Sequence, residues 1–104
     1  MGRLLSGVRK VQCRELVFSG HALRRMFERR IRADQVRSAV ESGQVITEYR
    51  EDVPFPSCLV LGYVDGQPVH VVVGLGDGGT CVVVTVYTPS AELWDTDFKT
   101  KKVT

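Results

Sequence analysis

Long apolar runs are missing from this chain. No stretch approaches the ~18 apolar residues of a membrane-spanning helix. The apolar run within Met1–Val11 is too short for a secretion signal and has no small-residue cleavage site after it. Cysteine is sparse and odd in number: Cys13, Cys58 and Cys81, with no CxxC pair. That pattern argues against a disulfide framework and against any Cys/His metal site, so no metal and no cofactor are expected. With the missing signal, it leads to the expectation of a cytoplasmic protein without a membrane partner. Internal repeats and low-complexity linkers are absent as well, and 104 residues leave room for one domain only. Gly76-Asp77-Gly78-Gly79 lacks the Lys-Ser/Thr and following helix of a phosphate loop.

Basic residues are nearly absent from the middle of the chain. Residues 38–98 hold one, Arg50, against nine acids, whereas residues 1–37 hold ten against three. Lys99, Lys101 and Lys102 close the chain. The overall charge of +2 therefore conceals a basic N-terminal part and a basic tail. Such segregation points to a surface that meets a polyanion, although a basic helix that is merely solvated has the same composition.

Hydrophobic residues make up 43% of the chain, enough for a core without a staple. Residues 1–12 form a basic, weakly patterned segment expected to fray. Residues 13–104 form a single α+β domain that ends in the basic tail. Cys13–Phe18 reads as a strand, and Ser19 stands where a helix N-cap belongs, ahead of a helix over Gly20–Arg30. A second helix spans Ala33–Ser42, with Val36, Ala39 and Val40 as its apolar stripe and Gly43 as a left-handed stop. Ile31 should plug the core between the two. Val45–Tyr49, Ser57–Val64, Gln67–Gly74 and Thr80–Tyr87 read as strands, with Pro54 and Pro56 marking a loop and Asp65-Gly66 a two-residue hairpin. The order β-α-α-β-β-β-β predicts two N-terminal helices packed on one face of an antiparallel meander.

The hairpin sets a register in which Leu61 opposes His70 and Val60 opposes Val71. If Leu75 and Thr80 close the next turn, His70 opposes Thr85 and Pro68 opposes Tyr87. Alternation then assigns Val60, Val69, Val71, Val73, Val82, Val84 and Val86 to the helix-covered face. Leu59, Leu61, Tyr63, His70, Val72, Val83, Thr85 and Tyr87 go to the other, which reads as a partly exposed groove.

His21, Arg25 and Arg29 recur every four residues along the first helix as a cationic stripe, with Leu23, Met26 and Phe27 as its apolar side. Arginine offers forked donors to phosphate oxygens, so the stripe suits a phosphodiester. In the structural alternative, Arg25 and Arg29 pair with acids such as Glu28 or Glu41 while His21 helps cap the helix. His70, inside Val69-His70-Val71, suits general acid–base work with Tyr63 and Tyr87 nearby. It equally suits a structural hydrogen bond to Thr85. Trp94 and Phe98 read better as a seal on the core edge than as a docking group.

The ordered set of His21-Ala22-x-x-Arg25-Met26, Arg29-x-Ile31, Val45-Ile46-x-Glu48-Tyr49, Pro54-x-Pro56, Leu61-Gly62-x-x-Asp65-Gly66-x-Pro68-x-His70-Val71-Val72, Tyr87-x-Pro89 and Trp94 resembles the uncharacterised bacterial domain-of-unknown-function family 4258. The resemblance covers about Phe18 to Lys102. Arg30 departs from it, standing where glycine is expected, as though to lengthen the helix. More distantly, the resemblance implies kinship with RelE-like and BrnT-like toxins of toxin–antitoxin modules, which are metal-independent ribonucleases partnered by antitoxins, here of zinc-finger type. It implies site roles, taken here as catalytic, for His21, Arg25, Arg29, His70 and Tyr87. The basic residues Arg24, Arg30, Lys101 and Lys102 are expected to contact RNA beside them. Two readings stay open: an RNA endonuclease toxin, and a non-catalytic RNA- or protein-binding module of the same fold. The latter includes a homodimer formed through the edge strand Val45–Tyr49.

Overall fold

A computed structural model describes residues 9–103. Seven regular elements follow one another: β1 (Glu15–Phe18), α1 (Gly20–Arg29), α2 (Ala33–Ser42), β2 (Gln44–Tyr49), β3 (Ser57–Val64), β4 (Gln67–Leu75) and β5 (Thr80–Tyr87). This is the expected β-α-α-β-β-β-β order. The strands make one sheet in the order β1-β5-β4-β3-β2, antiparallel throughout except that β1 lies parallel to β5 at the edge. Of the basic segment 1–12, residues 1–8 lie outside the described residues. In the remainder, the Arg9 carbonyl accepts from Val45 N–H at 2.7 Å, and Val11 packs against the core. That contact occupies part of the β2 edge.

Each helix end has a local cause. The Ser19 hydroxyl accepts from Ala22 N–H at 3.0 Å and donates to the Val84 carbonyl at 2.9 Å, so the cap of α1 is also its tie to β5. Arg30 ends α1 rather than lengthening it. Its backbone is left-handed (φ 59°), its N–H reaches the Phe27 carbonyl at 3.2 Å, and Ile31 N–H reaches the Met26 carbonyl at 2.9 Å. That is the glycine-favouring helix stop, here made by arginine. For α2, Arg32 N–H donates to the Gln35 side chain at 2.9 Å. Gly43 does not form the expected left-handed stop; its φ of −79° is extended. A glycine is needed there for space: a Cβ would come within 2.6 Å of Val60 Cγ1.

Both helices cover one sheet face. Ala22, Met26, Val36, Ala39 and Val40 enclose Cys58, Val60, Val69, Val71, Val73, Cys81, Val83 and Val86. The β3–β4 register is as read, with Leu61 opposite His70 and Val60 opposite Val71. The β4–β5 register is not. Leu75 pairs with Cys81, and Val84 then bulges out as an extra residue, so His70 opposes Tyr87 and Val72 opposes Thr85. Cys81 and Val83 therefore enter the helix-covered core in place of Val82 and Val84. Beyond the bulge, Thr85 and Tyr87 keep the face assigned to them.

The expected partly exposed groove is largely covered, with Tyr63 still 54% exposed. After β5 the chain folds back as a strap, residues 89–102, over the second sheet face. Trp94 bridges to Lys101, Asp95 N–H donates to the Thr100 carbonyl at 2.8 Å, and Lys102 N–H to that of Leu93 at 2.9 Å. Leu59, Leu61 and His70 are buried on this face, as is Trp94, which seals it in the way its sequence suggested.

Cysteine usage is also corrected. Cys13 and Cys81 form a disulfide, with Cα atoms 5.7 Å apart, and Cys58 is a buried thiol. An odd count hid a pair whose members lie 68 residues apart. The bond removes the cysteine argument for a reducing compartment. Among the described residues no helix is long and apolar enough to cross a membrane.

Candidate nucleic-acid interface

α1 has three kinds of side. Ala22 and Met26 are buried and define its inward direction. His21 and Arg25 each precede one of these by a residue, and Leu23 and Phe27 each follow one. The two pairs are therefore turned ~100° to opposite flanks. Arg29 continues the His21–Arg25 flank one turn later, and Arg24 points outward. All of these side chains outside the buried pair are exposed.

Charge on this surface is only partly neutralised. Arg25 pairs with Glu28 at 3.2 Å, and Arg32 pairs with Asp34 at 3.0 Å. The Arg32 bond holds the Asp34 carboxyl below its usual pKa. The ion pairs among the described residues use Arg9, Arg25, Arg32 and Arg50. Arg24, Arg29, Arg30 and Arg37 thus have no acidic partner there. The structural alternative holds for Arg25 and fails for Arg29.

His70 lies on the other side of the sheet. Its strand neighbour Val71 faces the core shared with Ala22 and Met26, so the imidazole points the opposite way, under the strap. It is 0% exposed. Nδ1 meets the Tyr87 hydroxyl at 3.1 Å and Nε2 meets the Phe98 carbonyl at 2.7 Å. A neutral ring satisfies both contacts, with Nε2–H donating to the carbonyl and Nδ1 accepting from Tyr87. Trp94 packs edge-on at 4.6 Å between ring centroids. Burial lowers the His70 pKa, partly opposed by the Phe98 carbonyl, and burial raises that of Tyr87. Thr85, the expected partner, opposes Val72 instead.

The expected composite site is therefore two separate places. His21, Arg25 and Arg29 stand together on α1 with Arg24 and Arg30. His70 and Tyr87 form a closed pair beneath the strap. Lys101 and Lys102 belong to the strap, with Lys101 Nζ 6.0 Å from the Trp94 ring centroid, and so lie in the layer opposite α1.

Of the apolar side expected for α1, Met26 is buried but Leu23 and Phe27 are 51% and 86% exposed. The helical period accounts for this, because Ala22, Met26 and Ile31 already fill the inward direction.

A model of the family described as a domain of unknown function, DUF4258, matches residues 18–88. The match contains α1, α2 and His70 and stops short of Trp94 and Phe98, which cover that histidine. No curated protein and no solved structure matches the chain.

Proposed function

This chain belongs to the domain-of-unknown-function family DUF4258, and from that footing we propose that it is an RNA-binding domain whose interface is the outer surface of α1 and the turn into α2. The observation that carries the reading is unneutralised charge on a rigid element. Arg24, Arg29 and Arg30 have no acidic partner among the described residues. Arg24 and Arg29 stand on, and Arg30 closes, a ten-residue helix capped at both ends and packed on β5. The planar fork of a guanidinium suits phosphate oxygens, and the helix sets the spacing at which these side chains leave the backbone.

The non-catalytic form of the reading is preferred because of His70. A general base must come within about 3 Å of the ribose hydroxyl. His70 has no exposed surface and spends both ring nitrogens on Tyr87 and Phe98. Anisotropy titrations of labelled RNA over a range of salt test the proposal. Affinity should fall steeply with salt, and Arg24→Ala or Arg29→Ala should each flatten the log–log slope by about 0.7, one phosphate contact to a single strand. Absent or salt-independent binding would sink it.

One observation favours a second reading. His21 is exposed on the same flank as Arg25 and Arg29. An endoribonuclease toxin of the RelE or BrnT kind, held in check by an antitoxin, would use His21 for proton transfer and the two arginines for the scissile phosphate. RNA incubated in EDTA with the wild type, His21→Ala, Arg25→Ala and His70→Ala decides it. Products lost only with the α1 variants favour cleavage at His21, and no products from the wild type end this reading.

A further inference from the structure

Phe27 is the most exposed aromatic residue of the described chain, at 86%, and nothing in the fold requires it there. Leu23 precedes it by one turn on the same flank, 51% exposed. Arg24 neighbours it at i−3. On its other side a shallow depression of about 600 Å³ is lined by Met26, Phe27, Glu28, Arg30, Ile31 and Arg32. Glu28, the acid lining this depression, is already engaged with Arg25, and Arg32 of the same lining with Asp34. The ring is therefore bordered by Arg24 and Arg30, both without acidic partners among the described residues. The left-handed Arg30 stop fixes the backbone around it, with the Arg30 N–H donating to the Phe27 carbonyl.

We propose that Phe27 is a base-stacking platform, so that the ligand of this surface is single-stranded RNA. An unpaired base lies on the ring, and the adjoining phosphates lie on Arg24 and Arg30. The inference rests on the reading of α1 as an RNA interface and narrows it. An aromatic face stacks on any base that is not already stacked, whereas a duplex closes its base faces and shows only its backbone and grooves. Charge selects the occupant. A protein segment seated on Leu23 and Phe27 would need its own acids to match the arginine rim, whereas a polynucleotide brings a phosphate with every base.

The test compares a labelled uridine-rich single strand with an RNA duplex of equal length. Wild type, Phe27→Ala, Phe27→Tyr and Leu93→Ala are titrated at one salt concentration. Leu93 is an exposed apolar residue on the strap and controls for loss of a surface side chain. The wild type should favour the single strand. Phe27→Ala should lose on the order of tenfold in single-strand affinity with little change for duplex, and Phe27→Tyr should retain affinity. Leu93→Ala should match the wild type on both ligands. If the wild type binds both RNAs equally and Phe27→Ala binds as the wild type does, stacking is wrong while the α1 interface stands. If no RNA binds, the interface and the inference fall together. If Phe27→Ala loses both ligands equally, with an unchanged circular dichroism spectrum, the ring supports the arginines and the stacking role is overturned.

Discussion

The backbone carbonyl of Phe98 lies 2.7 Å from Nε2 of His70, so the strap is fastened to the sheet through an imidazole. Tyr87 holds the other ring nitrogen from the neighbouring strand. A histidine placed this way is a structural fastener with a proton-dependent strength. Replacing it with leucine should leave the Tyr87 hydroxyl and the Phe98 carbonyl without their partner, at a cost of roughly 1–3 kcal/mol. Trp94 is the single tryptophan of the chain, so its fluorescence reports the strap during urea unfolding. An unchanged midpoint for His70→Leu would show that the fastening contributes nothing.

The same contact makes stability depend on pH. Burial lowers the folded-state pKa of His70 below the unfolded value near 6.5, so the folded state favours the neutral ring. The stabilisation is fully present above about pH 6.5. It is lost progressively as pH falls toward the folded pKa, by at most about 1.4 kcal/mol per pH unit. Urea midpoints of the wild type should therefore drop between pH 7 and pH 5, and His70→Leu should remove that part of the slope. The window lies above the carboxylate range, so Asp34 and Asp97, whose pKa values are lowered, do not contribute within it. A wild-type profile parallel to that of His70→Leu would overturn the assignment.

Arg30 occupies a backbone conformation that suits glycine. Arg30→Gly should relieve the left-handed strain while keeping both closing hydrogen bonds, stabilising the fold by about 0.5–1 kcal/mol. Because the proposed RNA interface includes Arg30, the same variant should bind RNA more weakly. A variant that melts higher and binds less tightly would separate the two roles. A lower melting temperature would contradict the strain argument.

Much of this organisation was legible in the sequence, because it is set by short-range rules. Ser19 capped α1 as its position indicated, Val36, Ala39 and Val40 turned inward together, and Asp65-Gly66 fixed the β3–β4 register. What escaped was determined at long range. The Val84 bulge lies where Ser19 hydrogen-bonds to β5, at the Val83 and Val84 carbonyls, and no local pattern marks it. The strap over His70 and the Cys13–Cys81 bond join residues 28 and 68 positions apart. His70 and His21 were both visible as candidates, but only the sheet shows that they face opposite ways. The clearest signal that was available and unused was the position of Phe27, one residue past the buried stripe.

Ala39 sits directly on Gly62, which sets the distance between α2 and β3. A Cβ at position 62 would meet the Ala39 carbonyl oxygen at 2.6 Å and its Cβ at 2.7 Å. Neither atom can swing aside, because one is backbone and the other is fixed to it. Gly62→Ala should therefore push α2 off the sheet and cost roughly 1–3 kcal/mol, the range for overpacking. Gly66→Ala is the contrasting case. Nothing lies within 4 Å of its added Cβ, and its cost arises only from a positive φ of 79°. Thermal melts of the two variants should rank Gly62→Ala as the more damaging. The reverse order would mean that the helix yields more easily than the packing implies.

The Cys13–Cys81 bond joins the segment before β1 to the first turn of β5. Two hydrogen bonds run beside it, from Arg14 N–H to the Gly79 carbonyl at 2.8 Å and from the Arg14 guanidinium to the Gly78 carbonyl at 3.2 Å. The parallel strand β1 is four residues long and sits at the sheet edge, so it gains more from a covalent tie than an inner strand would. The bond closes a loop of 68 residues in the unfolded chain, for which the expected stabilisation is roughly 2–4 kcal/mol. Cys81 belongs to the helix-covered core and Cys13 packs against it, but the rest of that core is carried by other side chains, so Cys13→Ser/Cys81→Ser should still fold, with a lower melting temperature and earlier exchange of the β1 amides. Thiol titration provides the direct check. The oxidised wild type should show no reactive thiol while folded and one, Cys58, after denaturation. Three thiols in the air-exposed protein, with melting identical to that of the double variant, would show that the bond does not form.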